Sequence, residues 1–313
     1  SLDYLQQGAD FIIIGEVEVT LQQLINTLQT ESTYFESING IAYLQENKLI
    51  KTISRPVLTD LDSLPFPAWK FIQMKDYQRA WLQKSGYFSL NMTTTRGCPF
   101  KCNWCAKPIY GNRYNSRSPE KVVEEIDFLI SNYQVEHIWF CDDIFGLKPG
   151  WIKRFSELVV GKNLQFKFKI QCRADLLLDD ENIQHLANAG CDEIWIGAES
   201  GSQKILDAMD KGTTVKQIYT ATRLMQKHGI KPCLFLQFGY LDELQTDIDL
   251  TIKMVFDLMP YDIGVSVSYP LPGTQFYEKV KSQLQIKQNW SDSDELLLMY
   301  KRTYSPAYYK QLH

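Results

Sequence analysis

No apolar run in this sequence approaches the length of a membrane span. The longest, such as Phe11–Ile14, hold a handful of residues, whereas a helix needs roughly 20 to cross a bilayer. The opening stretch, SLDYLQQGAD, lacks the basic-then-apolar order of a secretory signal. There is no basic tail. The 33 Lys and Arg against 37 Asp and Glu leave a net charge of -4, which argues against non-specific binding to nucleic acid. Histidine is scarce, and neither His nor Cys occurs between Cys105 and His137. No Cys follows Cys233, so an auxiliary metal cluster built from C-terminal cysteines is not expected. Seven cysteines, three of them crowded together, fit a reducing cytoplasm better than a secreted disulfide scaffold.

What is present is more telling. Cys98, Cys102 and Cys105 stand in the run RGCPFKCNWC, spaced C-x3-C-x2-C. Three thiolates on one short loop can hold three irons of a 4Fe–4S cube and leave the fourth iron without a protein ligand. An iron kept open can bind and reduce a substrate. Two other readings remain at this level. A structural zinc knuckle usually wants four ligands, and no local fourth one exists. An iron–sulfur electron-transfer or binding protein without radical chemistry would also want a fourth Cys near by.

The cysteine segment resembles the cluster motif of the radical S-adenosylmethionine (SAM) superfamily. The wider stretch TTTRGCPFKCNWCAKPIYG resembles its cobalamin-associated branch, which includes anaerobic cyclases and methylases. The resemblance implies a 4Fe–4S cluster on Cys98, Cys102 and Cys105, with SAM chelating the open iron and cleaved reductively to a 5′-deoxyadenosyl radical. It further implies an external electron donor such as flavodoxin or ferredoxin, and a small-molecule substrate altered by methyl transfer or oxidative cyclisation. The cofactor supplies that reactivity, while the protein positions it and excludes water.

Residues 1–38 are expected to be the C-terminal remnant of a flavodoxin-like cobalamin-binding domain. GADFIIIG reads as a buried parallel strand, and Leu21, Leu24, Ile25 and Leu28 recur at helical spacing after it. The family's Gly-Glu-Gly-Glu turn appears here as Gly15-Glu16-Val17-Glu18, and its cobalamin-ligating His motif is not in this chain. Cobalamin is therefore expected only in a longer chain. Residues 39–86 read as a hairpin around Glu46-Asn47 followed by a Pro-rich linker. Residues 87–275 alternate strand and helix six times, which predicts an α/β fold with a parallel sheet and outer helices, the alternation leaving open and closed sheets undecided. The radical SAM resemblance implies a partial (β/α)6 TIM-like barrel. Residues 276–313 are expected to be a helical extension, with a helix start at Asp292 and Glu295 three residues on.

In such a barrel function sits at the C-terminal ends of the strands. By resemblance the backbone of Trp104 touches adenine. Asp142 and Asp143 end the second strand, where paired carboxylates suit an ammonium group, although a solvated pair or an N-cap would look the same. Arg173 ends the third; its fork suits a carboxylate, whether that of SAM, of Glu199 or of Asp175. Glu199 and Ser200 end the fourth among small residues at a helix start, where the family binds the ribose and methionyl parts of SAM. Gln237 and Glu243 carry no assigned role; the rim segment Tyr269-Pro270 with Pro272-Gly273 reads either as a wall for the adenine or the substrate or as a plain barrel-closing turn. Cys141, Cys172, Cys191 and Cys233 are expected to behave as small apolar residues.

Overall fold

The computed structural model describes residues 2–30, 34–107, 109–284, 300 and 303–312. The expected helix start at Asp292 and its partner Glu295 lie outside these residues. The chain divides into two compact units, one of residues 1–61, 97–99 and 107–115, the other of residues 62–96, 100–106 and 116–313.

In the first unit α1 (Leu2–Gln6) and β1 (Phe11–Ile13) precede α2 (Glu18–Gln29) and the strands β2 (Ile41–Gln45) and β3 (Lys48–Lys51). The predicted hairpin is present. Glu46 and Asn47 have φ of 49° and 62°, the pair of left-handed residues that a tight antiparallel connection requires. The expectation of a buried parallel strand is corrected: β1 pairs antiparallel with β2, Phe11 opposite Tyr43, and is only half-buried. Among the described residues of this unit no second strand lies in parallel register, so the hairpin supplies the partner. Leu24, Ile38, Ile41 and Tyr43 form a small core against Phe11, Ile13, Phe35 and Ile50.

The second unit holds α3 (Met74–Ser85), β4 (Ser89–Met92), the short β5 (Thr95–Arg96) and the elements from α4 onward. A further short strand, β6 (Asn115–Ser116), leads into α4 (Pro119–Tyr133). Then come β7 (His137–Phe140), α5 (Trp151–Gly161), β8 (Lys167–Cys172), α6 (Asp180–Asn188) and β9 (Cys191–Glu199). After these follow α7 (Gln203–Ala208), α8 (Val215–Lys227), β10 (Lys231–Phe238), α9 (Gln245–Leu258), β11 (Asp262–Val267) and α10 (Gln275–Val280). All six predicted strands form, and they pair in parallel in the order β4-β7-β8-β9-β10-β11.

Strand order that follows chain order, joined by right-handed crossovers, places every connecting helix on one face of the sheet. The helices accordingly touch one another in sequence: α4 with α5, α5 with α6, α6 with α8, α8 with α9. Their ends are fixed locally. Ser118 caps α4 by accepting from the Lys121 amide, with Pro119 in the first turn, and Thr214 and Gln217 form a reciprocal capping box on α8.

The strands alternate rather than run apolar throughout, as a parallel sheet covered on both faces would. Leu90, Ile138, Phe140, Phe168, Ile170, Ile194, Ile196 and Leu234 are buried on the helix side. Each contributes about 1.5–3 kcal/mol by leaving water. Trp139, Lys169, Gln171, Trp195 and Phe235 point to the other face and remain partly exposed. Among the described residues the sheet thus has one sealed face and one partly open face.

Candidate active site

The cysteine loop leaves the C-terminal end of β4, the edge where every crossover helix begins. Asp142, at the end of β7, fixes its entry. This carboxylate is buried and accepts from the Thr94 amide at 2.7 Å, from the Thr95 amide at 2.9 Å and from the Thr94 hydroxyl. Burial pushes its pKa up to about 6, against the pull of those three donors. Both oxygens are therefore committed to the strand end that feeds the cysteines. Its neighbour Asp143 is exposed.

Cys98 belongs to the first unit. Gly97 before it has φ of +86°, and a Cβ there would lie 2.4 Å from the Arg113 carbonyl oxygen, so only glycine fits. Lys107 donates to the Cys98 carbonyl at 3.1 Å and to Asn112 at 2.9 Å. Cys102 and Cys105 belong to the second unit, where Asn103 between them acts as a pin. Its Nδ2 donates to Ala208 O and Asp210 Oδ2, each at 2.8 Å, and its Oδ1 accepts from the Tyr240 hydroxyl at 2.6 Å. Its backbone bonds Met209 and Phe276 at 3.0 Å each. Trp104 packs on the cluster of Ile205, Met209, Tyr240, Phe276, Val280 and Tyr300. Its indole Nε1 is buried without an acceptor among the described residues.

Arg173, at the end of β8, reaches this loop. Its Nη1 lies 3.7 Å from Cys102 Sγ, and its guanidinium stacks over the Phe100 ring at 3.7 Å. Its fork grips Asp175 at 2.9 and 3.2 Å, so among the three carboxylates considered from sequence Asp175 is the partner in the structure. Nη2 also donates to the Lys211 carbonyl at 2.8 Å. Lys211 in turn places its ammonium 2.7 Å from Glu199. Both side chains are buried, and the pair sits against Gly197, where a Cβ would be 2.7 Å from each charged group. Glu199 adopts φ of +58°, a left-handed conformation that costs of order 1–3 kcal/mol outside glycine. A continuous line of contacts therefore runs from Cys102 through Arg173 and Lys211 to Glu199.

The residues after Glu199 turn away from that line. The Ser200 hydroxyl lies 3.1 Å from that of Thr251, Ser202 donates to Asp247 at 2.7 Å, and a Cβ on Gly201 would strike the Leu250 carbonyl at 2.4 Å. These small residues let α9 approach the sheet. Glu243 likewise closes its own loop by accepting from the Gly239 amide at 2.6 Å. Asn103 and Lys211 went unnoticed in the sequence because their partners lie about 100 and 12 positions away, with no periodic signal to mark them. Burial pushes the thiols of Cys172 and Cys233 up to about 12 and raises that of Cys191. Such protonated thiols are poor metal ligands. Cys141 is exposed instead of packed like the other three.

The donor set has the chemistry of an iron–sulfur site, in which a cube takes one thiolate per iron. Among the described residues no group of three His, Cys, Asp or Glu side chains stands together. The Arg173 guanidinium lies beside Cys102, and the Trp104 indole N–H is a buried donor in the cysteine loop. No described helix is long and apolar enough to cross a membrane.

A family model described as the radical SAM superfamily matches residues 92–255. The chain is 27% identical over 283 residues to an uncharacterised methyltransferase of Pyrococcus horikoshii, covering 90% of this chain and 60% of that protein. It is 27% identical over 283 residues to an anaerobic magnesium-protoporphyrin IX monomethyl ester cyclase of Cereibacter sphaeroides, covering 88% of this chain and 45% of the cyclase. The fold matches a radical SAM methyltransferase, TsrM, from Kitasatospora setae, solved with cobalamin and a [4Fe-4S] cluster. That match has a TM-score of 0.74 at 20% identity and covers 98% of this chain and 61% of that one.

Proposed function

This chain belongs to the radical SAM superfamily, and we propose that it is the catalytic core of a cobalamin-class enzyme acting on a small molecule by methyl transfer or oxidative cyclisation. The chain spans 60% and 45% of the two curated relatives described above. We assign residues 1–38 to the C-terminal part of a cobalamin-binding domain, and residues 39–86 to a hairpin, whose β2 pairs with β1, and a Pro-rich linker. Residues 87–275 are the radical SAM core and residues 276–313 its extension. The observation that carries the reading is the line of contacts from Cys102 through Arg173 and Lys211 to Glu199. It joins the cysteine loop to the strand ends where a cofactor of this class binds.

When bound, the cluster and SAM supply a 5′-deoxyadenosyl radical. The chain's own residues hold and orient. Cys98, Cys102 and Cys105 ligate iron, and Arg173 balances charge at Cys102 while keeping its planar face on Phe100. Glu199 and Asp143 offer carboxylates to the SAM ammonium and ribose, and Trp104 lines the adenine side. Asp142 and Ser200 act one step back: the first fixes Thr94 and Thr95, the second ties the β9 turn to Thr251. An external one-electron donor such as flavodoxin or ferredoxin is part of this reading.

The test is anaerobic reconstitution with iron and sulfide, then reduction in the presence of SAM. 5′-Deoxyadenosine should appear, and S-adenosylhomocysteine should accompany it if the outcome is methyl transfer. A reduced-cluster spectrum that SAM does not move would favour a plain electron carrier.

A further inference from the structure

The open face of the sheet carries a group that the SAM site does not use. Lys169 of β8 lies directly across from Trp139 of β7 on one side and Glu193 of β9 on the other. Its ammonium stands 4.1 Å from the centroid of the Trp139 ring and makes no hydrogen bond or ion pair among the described residues. The Trp139 indole Nε1 is buried with no acceptor among those residues. Two strands away, Trp195 and Phe235 stack at 4.6 Å, with 29° between their planes. Gln171 is in register with Trp195, and it precedes Arg173 by two positions on the same strand.

A lysine in a half-buried sheet face usually finds a carboxylate. Here Lys231, the neighbour on the far side of Glu193, is taken by Asp192 at 2.8 Å, while Lys169 is left over an aromatic ring. The Trp139 indole N–H is buried, so the donor on the half-exposed face is the Lys169 ammonium. It is held over the ring face, makes no ion pair with Glu193 across from it, and can take an anionic oxygen. The adjoining aromatic surface suits a flat apolar body. Resting on the reading of this sheet edge as a radical SAM site, we propose that Lys169, positioned over the Trp139 ring, anchors a carboxylate or phosphate of the substrate. The substrate's planar unsaturated part then lies along Trp195 and Phe235, toward the strand ends that carry Gln171, Arg173 and Glu199. The substrate class is an anionic molecule with a flat apolar framework.

The probes are 2-naphthoate, 2-naphthyl phosphate and neutral 2-naphthamide, titrated into the anaerobically reconstituted full chain and followed by tryptophan quenching. Both anions should bind about tenfold more tightly than the amide, as expected for one charge-assisted contact. The tighter of the two identifies the group. Lys169→Met should lower affinity for the anions about tenfold and leave the amide unchanged, whereas Lys169→Arg should retain most of the discrimination. Equal binding of acid and amide by the wild-type protein overturns the proposal without any variant. So does a folded Lys169→Met protein, checked by its thermal midpoint, that binds naphthoate as the wild type does. 5′-Deoxyadenosine release in the same preparation reports on the enzymatic reading separately. Release with no anion discrimination sinks only the anchor, and discrimination with no release sinks only the radical reading.

Discussion

The two faces of the six-stranded sheet are built from the same strands with opposite rules. On the helix side Phe140, Phe168, Ile170, Ile194 and Ile196 are each at most 1% exposed, and Phe140, Phe145, Phe155 and Phe168 interlock edge to face or tilted at 5.0–6.2 Å. On the open side the same strands present Trp139, Lys169, Gln171, Trp195 and Phe235, spaced two apart. One face spends its side chains on packing. The other keeps polar and aromatic groups accessible next to the strand ends where the cysteine loop begins. Stability and chemistry are thus separated by a single residue of register, which substitutions can test.

The largest effect belongs to the loop. Cys102→Ala should abolish 5′-deoxyadenosine formation to the assay background while the thermal midpoint of the metal-free protein stays in place. If activity persisted, the three-thiolate assignment would fail. On the sealed face Phe168→Ala should cost about 3–5 kcal/mol by denaturant unfolding, yet turnover per iron in the protein that remains folded should be unchanged. At the junction of the two regimes, Lys211→Met strands Glu199 in a buried site. We expect a loss of about 3 kcal/mol or more together with loss of turnover. A stable, active variant would remove Lys211 from the site.

Asp142 gives a pH signature. Its carboxyl, held at about 6 by burial, titrates near 3.9 when unfolded, so the folded state binds that proton more tightly. The group's stabilising contribution is complete below the unfolded value and is lost as pH rises through the folded one. The stability difference between wild type and Asp142→Asn should therefore shift against the wild type by about 2–3 kcal/mol between pH 4 and pH 7. A flat difference would mean that the carboxylate is ionised throughout. The smallest effect sharpens the contrast: Gln171→Ala on the open face should stay within about 0.5 kcal/mol in stability while changing affinity for substrate-like probes.

Much of this arrangement was legible before any coordinates, for reasons that differ by region. The six βα repeats show because burial of one strand face writes alternation into the sequence. The cysteine spacing shows because three ligands on one loop must be close in the chain. Partners far apart did not show. Asn103 is pinned by residues on α7 and beyond, and Lys211 completes a buried pair that no spacing announces. Small residues misled in one place: Ser200-Gly201-Ser202 reads as room for a ligand, and the room is filled by α9. Strand direction misled in another, since the apolar run of β1 fits a parallel or an antiparallel neighbour equally well.

The measurement that bears most directly on the whole account is iron and sulfide content after anaerobic reconstitution, read together with the reduced-cluster spectrum on adding SAM. The account predicts about four irons and four sulfides per chain, a spectrum that shifts when SAM is added, and accumulation of 5′-deoxyadenosine. Zinc without sulfide, or a cluster whose spectrum SAM leaves untouched, would contradict it.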